Sequence, residues 1–447
     1  MNSRNIITIL CIGFFCLFSG ITANAEELHN KISLDMAINL GMAGNIELQE
    51  TRRNLNIAKN EVKIANSLKN PSFQSNFLMG KVTRGNSSQF GLMLPVEIMK
   101  RGERKKSAQI NSQIVEQQVK QQEFDLKLRI RTAYFNLLKA KTDLKIMEER
   151  KELLADLVDI AKNKPKNAGS YKVDLLQADM RYKKQLIEIN KAKANIRNAQ
   201  YTFNRVLNLE DDSTLYDSME ESLLDKSFTS ELQLPEYNMV ENAALNDKFT
   251  NLDLPDYEII EGMALKNRYD IKIAQNKVEK TKKDLILAKR KRIPDVQIGG
   301  GYAYQTSAQT KGEALPGAFV GFNMEIPLLY QYTPDINNAK LNHEKAELDY
   351  NSKINITKNT VKTNYDKFII AQENVSHYQE IINESEELLK LSKQRYKKGE
   401  APLTSLIITE HSHQTLLNEY ISAVGVYFNS YIALLQIIGL EDLNEIL

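Results

Sequence analysis

The residues best suited to chemistry are few and badly spaced for it. His411 and His413 lie two apart, and on a helix such positions point to different sides, so they cannot share a metal. Both are expected at the surface. The two cysteines, Cys11 and Cys16, sit inside an apolar N-terminal stretch. The rest of the chain therefore has no disulfide, thiolate metal site or catalytic Cys. There is no Gly-rich phosphate loop, no HExxH and no nucleophile elbow. Carboxylates are plentiful on predicted helices, which follows from a charged content of 26%. The expectation is a non-enzyme with no cofactor and no resident metal. One basic cluster stands out, Lys100, Arg101, Arg104, Lys105 and Lys106. It suits anionic headgroups or a solvated helix face, and the sequence alone does not choose. The Met residues are scattered and read as packing.

Such residues must be carried by something, and the carrier is mostly long helix. From Lys100 to about Lys164, Leu126, Ile130, Ala133, Leu137, Ala140, Leu144 and Met147 recur in steps of four and three. That is a coiled-coil seam. No Pro lies between Pro95 and Pro165, and the only Gly in the helix, Gly102, is near its start. About sixty residues at roughly 1.5 Å each give a rod of roughly 90 Å. A rod fits a channel or tether better than an enzyme.

The chain has 447 residues, a formal net charge of +2 and a hydrophobic content of 42%. This balance gives no field for nucleic acid. Residues 1–25 are a signal peptide by pattern: Arg4, an apolar core from Ile6 to Phe18, and Ala23-Asn24-Ala25 as the cleavage site. No apolar run in the remainder is long enough for a membrane helix.

An internal duplication organises the rest. Asn45-Ile46-Glu47-Leu48 matches Arg268-Tyr269-Asp270-Ile271. Pro71 matches Pro294, Leu94-Pro95 matches Ile326-Pro327, Tyr134 matches Tyr365, Gly169 matches Gly399, and Leu209 matches Leu440. Two equivalent repeats are expected, over 26–209 and 257–447. Each holds a helix before the proline (Leu34 to Asn70; Tyr257 to Ile293), a strand pair (about 72–98; about 295–328) and a long helical hairpin (about 100–208; about 335–438). The second hairpin has its own seam, Val361, Phe368, Ala371, Val375, Tyr378 and Ile382. Gly and Pro in Lys164–Gly169 and Tyr396–Pro402 mark the turns. Between the repeats, 210–256 is acidic and reads as a linker packed on the side of the rod.

After each proline the period changes to two. Val296, Ile298, Tyr302 and Tyr304 alternate with Gln297, Gly299, Gly301 and Ala303. Val320 and Phe322 alternate with Phe319, Gly321 and Asn323. In the first repeat Phe73, Phe77 and Met79 alternate with Gln74, Asn76 and Gly80, and Asn86 and Gly312 fall in the turns. The strands are about ten residues long, which suits a tilted membrane strand with its apolar face in lipid. A soluble sandwich with that face inward is the competing expectation. Four strands cannot close a barrel, because membrane barrels need about eight or more. An open edge in lipid leaves backbone groups without partners. Several copies are therefore expected to share one barrel.

With these residues in view, the chain resembles the TolC family of outer-membrane efflux proteins. The resemblance rests on the duplicated plan, Ser33-Leu34-Asp35-Met36-Ala37-Ile38 with Asn45 and Leu48, Gly321–Leu328, Arg395-Tyr396-Lys397-Lys398-Gly399, and Leu434–Gly439. It implies a mainly α fold with a membrane β part: a homotrimer with one twelve-stranded β-barrel in the outer membrane and an α-helical barrel across the periplasm. It also implies a periplasmic adaptor, an inner-membrane pump and outer-membrane lipid as partners. The entrance and adaptor contacts would then fall on Gly169, Asp174, Gln177, Arg395, Tyr396 and Gly399. The lipid-facing barrel would fall on Phe73, Phe77, Val296, Ile298, Tyr302, Tyr304, Val320 and Phe322. Family members often carry acidic residues and an Arg beyond the second Gly. Here Ala401, Ser405 and Ile408 stand there, so the gate must rest on other contacts. Glu97–Arg104, with Lys100, Arg101 and Arg104 as a basic junction, resembles the heavy-metal, CzcC-like branch. The implied function is a passive exit duct of a tripartite efflux system, for metal ions or drugs. A type I secretion exit or an adhesive coiled-coil protein are the alternatives.

Overall fold

The computed structural model describes residues 30–78, 87–163, 171–209, 214–223, 254–306 and 314–441. Met79, Gly80, Asn86, the Lys164–Gly169 turn, Gly312 and most of the linker lie outside the described residues. In chain order the elements are β1 (Lys31–Ile32), α1 (Leu34–Gly44), α2 (Ile46–Asn66), β2 (Ser72–Leu78), β3 (Ser87–Val96), α3 (Lys100–Lys162) and α4 (Tyr171–Leu207). There follow β4 (Asp217–Ser218), α5 (Tyr257–Asn267), α6 (Tyr269–Arg290), β5 (Val296–Thr306), β6 (Ala314–Met324), α7 (Thr333–Lys397) and α8 (Leu403–Ile438).

The chain forms two compact units. The first comprises Met1–Gln49, Gln122–Asn267 and Thr357–Leu447, and the second Glu50–Gln121 and Arg268–Ile356.

The expected single helix before each proline is two helices. At Asn45 the backbone is extended (φ −63°, ψ 121°), and its buried side chain serves both neighbours. Its oxygen accepts from Leu48 N at 3.0 Å and its amide donates to Leu207 O at 2.9 Å. An Asn whose side chain can cap the following turn competes well with a continued helix. Ser33 caps α1 in the same way, accepting from Met36 N. The α3 seam is buried from Leu126 to Leu137, with Ala140, Leu144 and Met147 only half-buried. Burial moves instead to Ile146, Leu154 and Leu157, as expected when a 3.6-residue helix drifts against a 3.5-residue repeat. On α7 Val361, Phe368, Ala371, Val375 and Ile382 are all buried, with Tyr378 half-buried.

α8 corrects one expectation. It is long and apolar enough to cross a membrane by composition, but half of its apolar window is buried inside the first unit. Phe428 stacks on Phe135 at 3.9 Å between centroids, and Tyr427 meets Phe368 at 5.2 Å. Burial pushes the Tyr427 hydroxyl up to about 12. The described part of the linker does more than lie on the rod. β4 pairs in parallel with β1. Lys141, 8% exposed, donates to Ser218 O at 3.1 Å and sits 3.0 Å from the Asp217 carboxylate. Tyr134 donates to Ile32 O at 3.0 Å and bonds Glu220.

In the second unit β2, β3, β5 and β6 form one antiparallel sheet in that order. The middle pairing, Val96 with Val296 through Ser87 with Gln305, joins strands from the two repeats. Arg268, whose backbone leaves the helical region (φ −56°, ψ 127°), breaks the α5–α6 run and holds Asp270 with two bonds of 2.9 and 2.8 Å.

Candidate functional sites

In the second unit, register puts Phe73, Phe77, Val296, Ile298, Tyr302, Tyr304, Val320 and Phe322 on one face of the sheet. Phe90, Leu92, Leu94 and Val96 of β3 share it. Val320 is 88% exposed, Phe322 78% and Phe73 67%. Ile298, Tyr302, Tyr304 and Phe77 are also exposed, and Val296 is half-buried. The opposite face carries Gln74, Asn76, Gln297, Gly299, Gly301, Ala303 and Asn323. Its glycines are required by close approach. A Cβ on Gly301 would fall 2.0 Å from Phe90 O, and one on Gly299 2.2 Å from Leu92 O. Among the described residues β2 and β6 each pair on one side only. So large an apolar face beside two open edges marks an unfilled interaction surface.

The basic junction is more constrained than its composition suggests. The Arg101 guanidinium donates to Asn66 O at 2.7 Å, and Arg104 donates to Ala65 O at 3.0 Å and Ser67 O at 3.3 Å. Arg104 also pairs with Glu97 at 2.6 Å. These cations cover the last carbonyls of α2, where orphan acceptors and the helix dipole favour positive charge. Lys100 pairs with Asp295 at 2.9 Å. Lys100, Arg101 and Arg104 are therefore held by the protein itself, while the Lys106 side chain is 57% exposed.

In the first unit the ends of α3 and α7 meet the starts of α4 and α8. Leu154, Leu157, Val158, Ala161, Ala178, Tyr396, Leu403, Leu406 and Ile407 form one apolar cluster there. Tyr396 is 2% exposed, so it is core; its neighbour Arg395 is exposed. Gly399 has φ 77°, and Gly399 N–H bonds Tyr396 O while Glu400 N–H bonds Arg395 O. This is the left-handed helix stop that only Gly adopts without strain. Asp174 is buried and Gln177 half-buried, and Gly169 lies outside the described residues. Ser405 and Ile408 are exposed and Ala401 is half-buried.

A nearby pair escaped the sequence reading. Arg150 Nε donates to Glu410 Oε1 at 2.6 Å and Nη2 to Oε2 at 3.3 Å, joining α3 to α8. Glu410 is 2% exposed. The signal was its place in the stripe Leu403, Leu406, Ile407, Glu410, Gln414, Leu417. A charge on an otherwise apolar face requires a buried counter-charge. The pair lines a cavity of about 210 Å³ with Ile146, Leu153, Glu386 and His413. His413 is thus half-buried, not a surface residue, because its face of α8 packs toward α7. Its Nδ1 lies 2.7 Å from Ser385 Oγ, and burial lowers its pKa against the pull of Glu386 and Glu410. His411 is exposed, so the two rings do point apart. Among the described residues no three His, Cys, Asp or Glu converge on a metal position.

Comparison with known proteins gives the class. The family model for outer membrane efflux proteins matches residues 37–209 and 262–440. The chain belongs to this family, that of the TolC-like channels, and is an outer-membrane protein. Its fold is that of solved channels. The CmeC outer membrane channel of Campylobacter jejuni is 16% identical, with a TM-score of 0.70 over 91% of this chain and 85% of that one. The MtrE outer membrane channel of Neisseria gonorrhoeae, in its open state, is 14% identical, with a TM-score of 0.68 over 92% and 91%. CusC, in structures concerned with folding and transmembrane channel formation, is 14% identical, with a TM-score of 0.71 over 92% of this chain and 93% of that one. An uncharacterized protein of Haemophilus influenzae is 26% identical over 153 residues. That match spans 33% of the length of each chain.

Proposed function

We propose that the protein is the exit duct of a tripartite efflux system. Three copies pool their sheets into one twelve-stranded barrel, their helical hairpins continue it as a tunnel, and solute diffuses through under power from an inner-membrane pump. The observation that carries this is the open-edged sheet with one exposed apolar face, in a chain of the outer membrane efflux family. Lipid would cover Phe73, Phe77, Val296, Ile298, Tyr302, Tyr304, Val320 and Phe322, and neighbouring copies would satisfy β2 and β6. The two repeats, 26–209 and 257–447, would supply two strands and one hairpin each.

The helix ends around Tyr396 form the periplasmic entrance in this reading. Exposed Arg395 and the turn at Gly399, with Gly169, meet the adaptor. Asp174, Gln177 and Tyr396 hold the entrance helices from inside. With Ala401, Ser405 and Ile408 in place of charges, the Arg150–Glu410 pair is the contact best placed to tie α3 to α8. The heavy-metal lean rests on Glu97–Arg104 alone. Two arginines of that run bond helix carbonyls, so it describes the junction more than the cargo. A metal cargo would pass as substrate. Catalysis is not part of this reading.

The test is reconstitution of purified full-length protein into a planar bilayer. Discrete conductance steps from a detergent-stable trimer are expected. A monomer released by carbonate without detergent, and silent in the bilayer, would support an adhesive protein instead. Deletion strains challenged with metals, dyes and bile salts, and assayed for a secreted protein, separate efflux from type I secretion.

A further inference from the structure

Within the second unit, Lys59 of α2, Lys106 of α3 and Lys283 of α6 line one open groove of about 530 Å³. Val62 and Ile110 give it apolar lining, and Gln109, Ser112 and Gln113 give it uncharged polar groups. Among the described residues no carboxylate lines it. Among the described residues Lys59 and Lys283 make no ion pair, and Lys106 has only Glu103, at 3.6 Å. Glu103 is itself shared with Arg290 at 3.5 Å. The adjacent Asp284 is turned to Ser107 and Lys280. Three cations from three helices share one groove with no carboxylate in its lining, an arrangement that favours an entering anion. We propose that this groove binds a phosphate group. Ammonium groups grip phosphate as point charges, and amides and a hydroxyl complete its oxygen shell.

Position suggests where the phosphate comes from. Lys59 is seven residues before the end of α2 at Asn66, Lys106 six after the start of α3 at Lys100, and Lys283 seven before the end of α6 at Arg290. At roughly 1.5 Å per residue, the lysines lie about 10 Å along their helices from the ends that lead into the strands. A headgroup of the inner leaflet would reach that level, which rests on the membrane reading above. Phosphate carried by a soluble ion is the other source.

Two arms separate them. Pyrophosphate is titrated calorimetrically into the detergent-solubilised full chain, and phosphatidylglycerol and phosphatidylcholine retained from nanodiscs are counted by native mass spectrometry. Saturable pyrophosphate binding that falls at least tenfold in Lys59→Gln/Lys283→Gln, and survives in Lys59→Arg/Lys283→Arg, supports the site. Retention of phosphatidylglycerol lost in the same variant supports a lipid source, and pyrophosphate binding without lipid retention supports a soluble one. Equal binding of both probes by wild type and the Gln variant, at unchanged thermal melting, overturns the site. The pyrophosphate arm does not require a channel, so silent bilayers would leave its result standing.

Discussion

Glu410 shows how one side chain can set the stability of a helix junction. The residue is only 2% exposed, and its carboxylate takes two guanidinium bonds from Arg150. Arg150→Met leaves an uncompensated buried charge, and a loss of about 3–5 kcal/mol is expected in chemical unfolding. The double change Arg150→Met/Glu410→Leu should recover most of it, since an apolar pair of similar volume removes the desolvation penalty. Failure of the double change to recover would mean that the pair does more than satisfy charge. His413 adds a pH dependence. Burial lowers its folded pKa below the ordinary 6.5. As pH falls through about 6.5 the unfolded chain takes up a proton that the folded chain refuses. Stability therefore falls with falling pH in that window, by at most about 1.4 kcal/mol per pH unit. Melting curves from pH 7.5 to 5 should show this slope, and His413→Gln should remove it.

At the scale of elements, the two strand pairs and two hairpins follow from local periodicity, whereas their ends follow from side chains that reach across. α2 stops at Asn66 beneath the guanidiniums of Arg101 and Arg104. Arg101→Ala/Arg104→Ala strips these charge-assisted bonds, at about 1.5–3 kcal/mol each, and hydrogen exchange should rise over the last turn of α2 first. Unchanged protection there would show that the arginines do not hold that helix end. The sheet gives a sharper contrast between neighbours. Phe322→Arg puts a cation on the apolar face and should cost about 2–4 kcal/mol of insertion if lipid covers it. Asn323→Arg, on the opposite face, should be tolerated. Equal effects would argue that nothing apolar, neither lipid nor a protein core, covers that face.

For the molecule as a whole, the open edges matter most. A sheet ending in β2 and β6 must either pair with other copies or face water, and in a bilayer only pairing is possible. Both native cysteines fall in the N-terminal segment, so introduced thiols would be read cleanly. Ser75→Cys on β2 with Val320→Cys on β6, treated with a short bis-maleimide, should give covalent dimers and trimers but no higher species. A purely monomeric product would leave the barrel without a wall.

The sequence by itself determined what is periodic and local. These are the heptad seams of α3 and α7, the alternation of β2, β3, β5 and β6, and the Gly399 stop. Each depends on residues only a few positions apart. The tertiary structure decided the pairings between distant residues. It set β3 beside β5, Arg150 against Glu410, Asn45 on the end of α4 and His413 inside a cavity. Periodicity shows which face a side chain occupies, but a buried charge or an open strand edge is satisfied by whichever partner the fold brings within bonding distance, and that choice is not written in spacing.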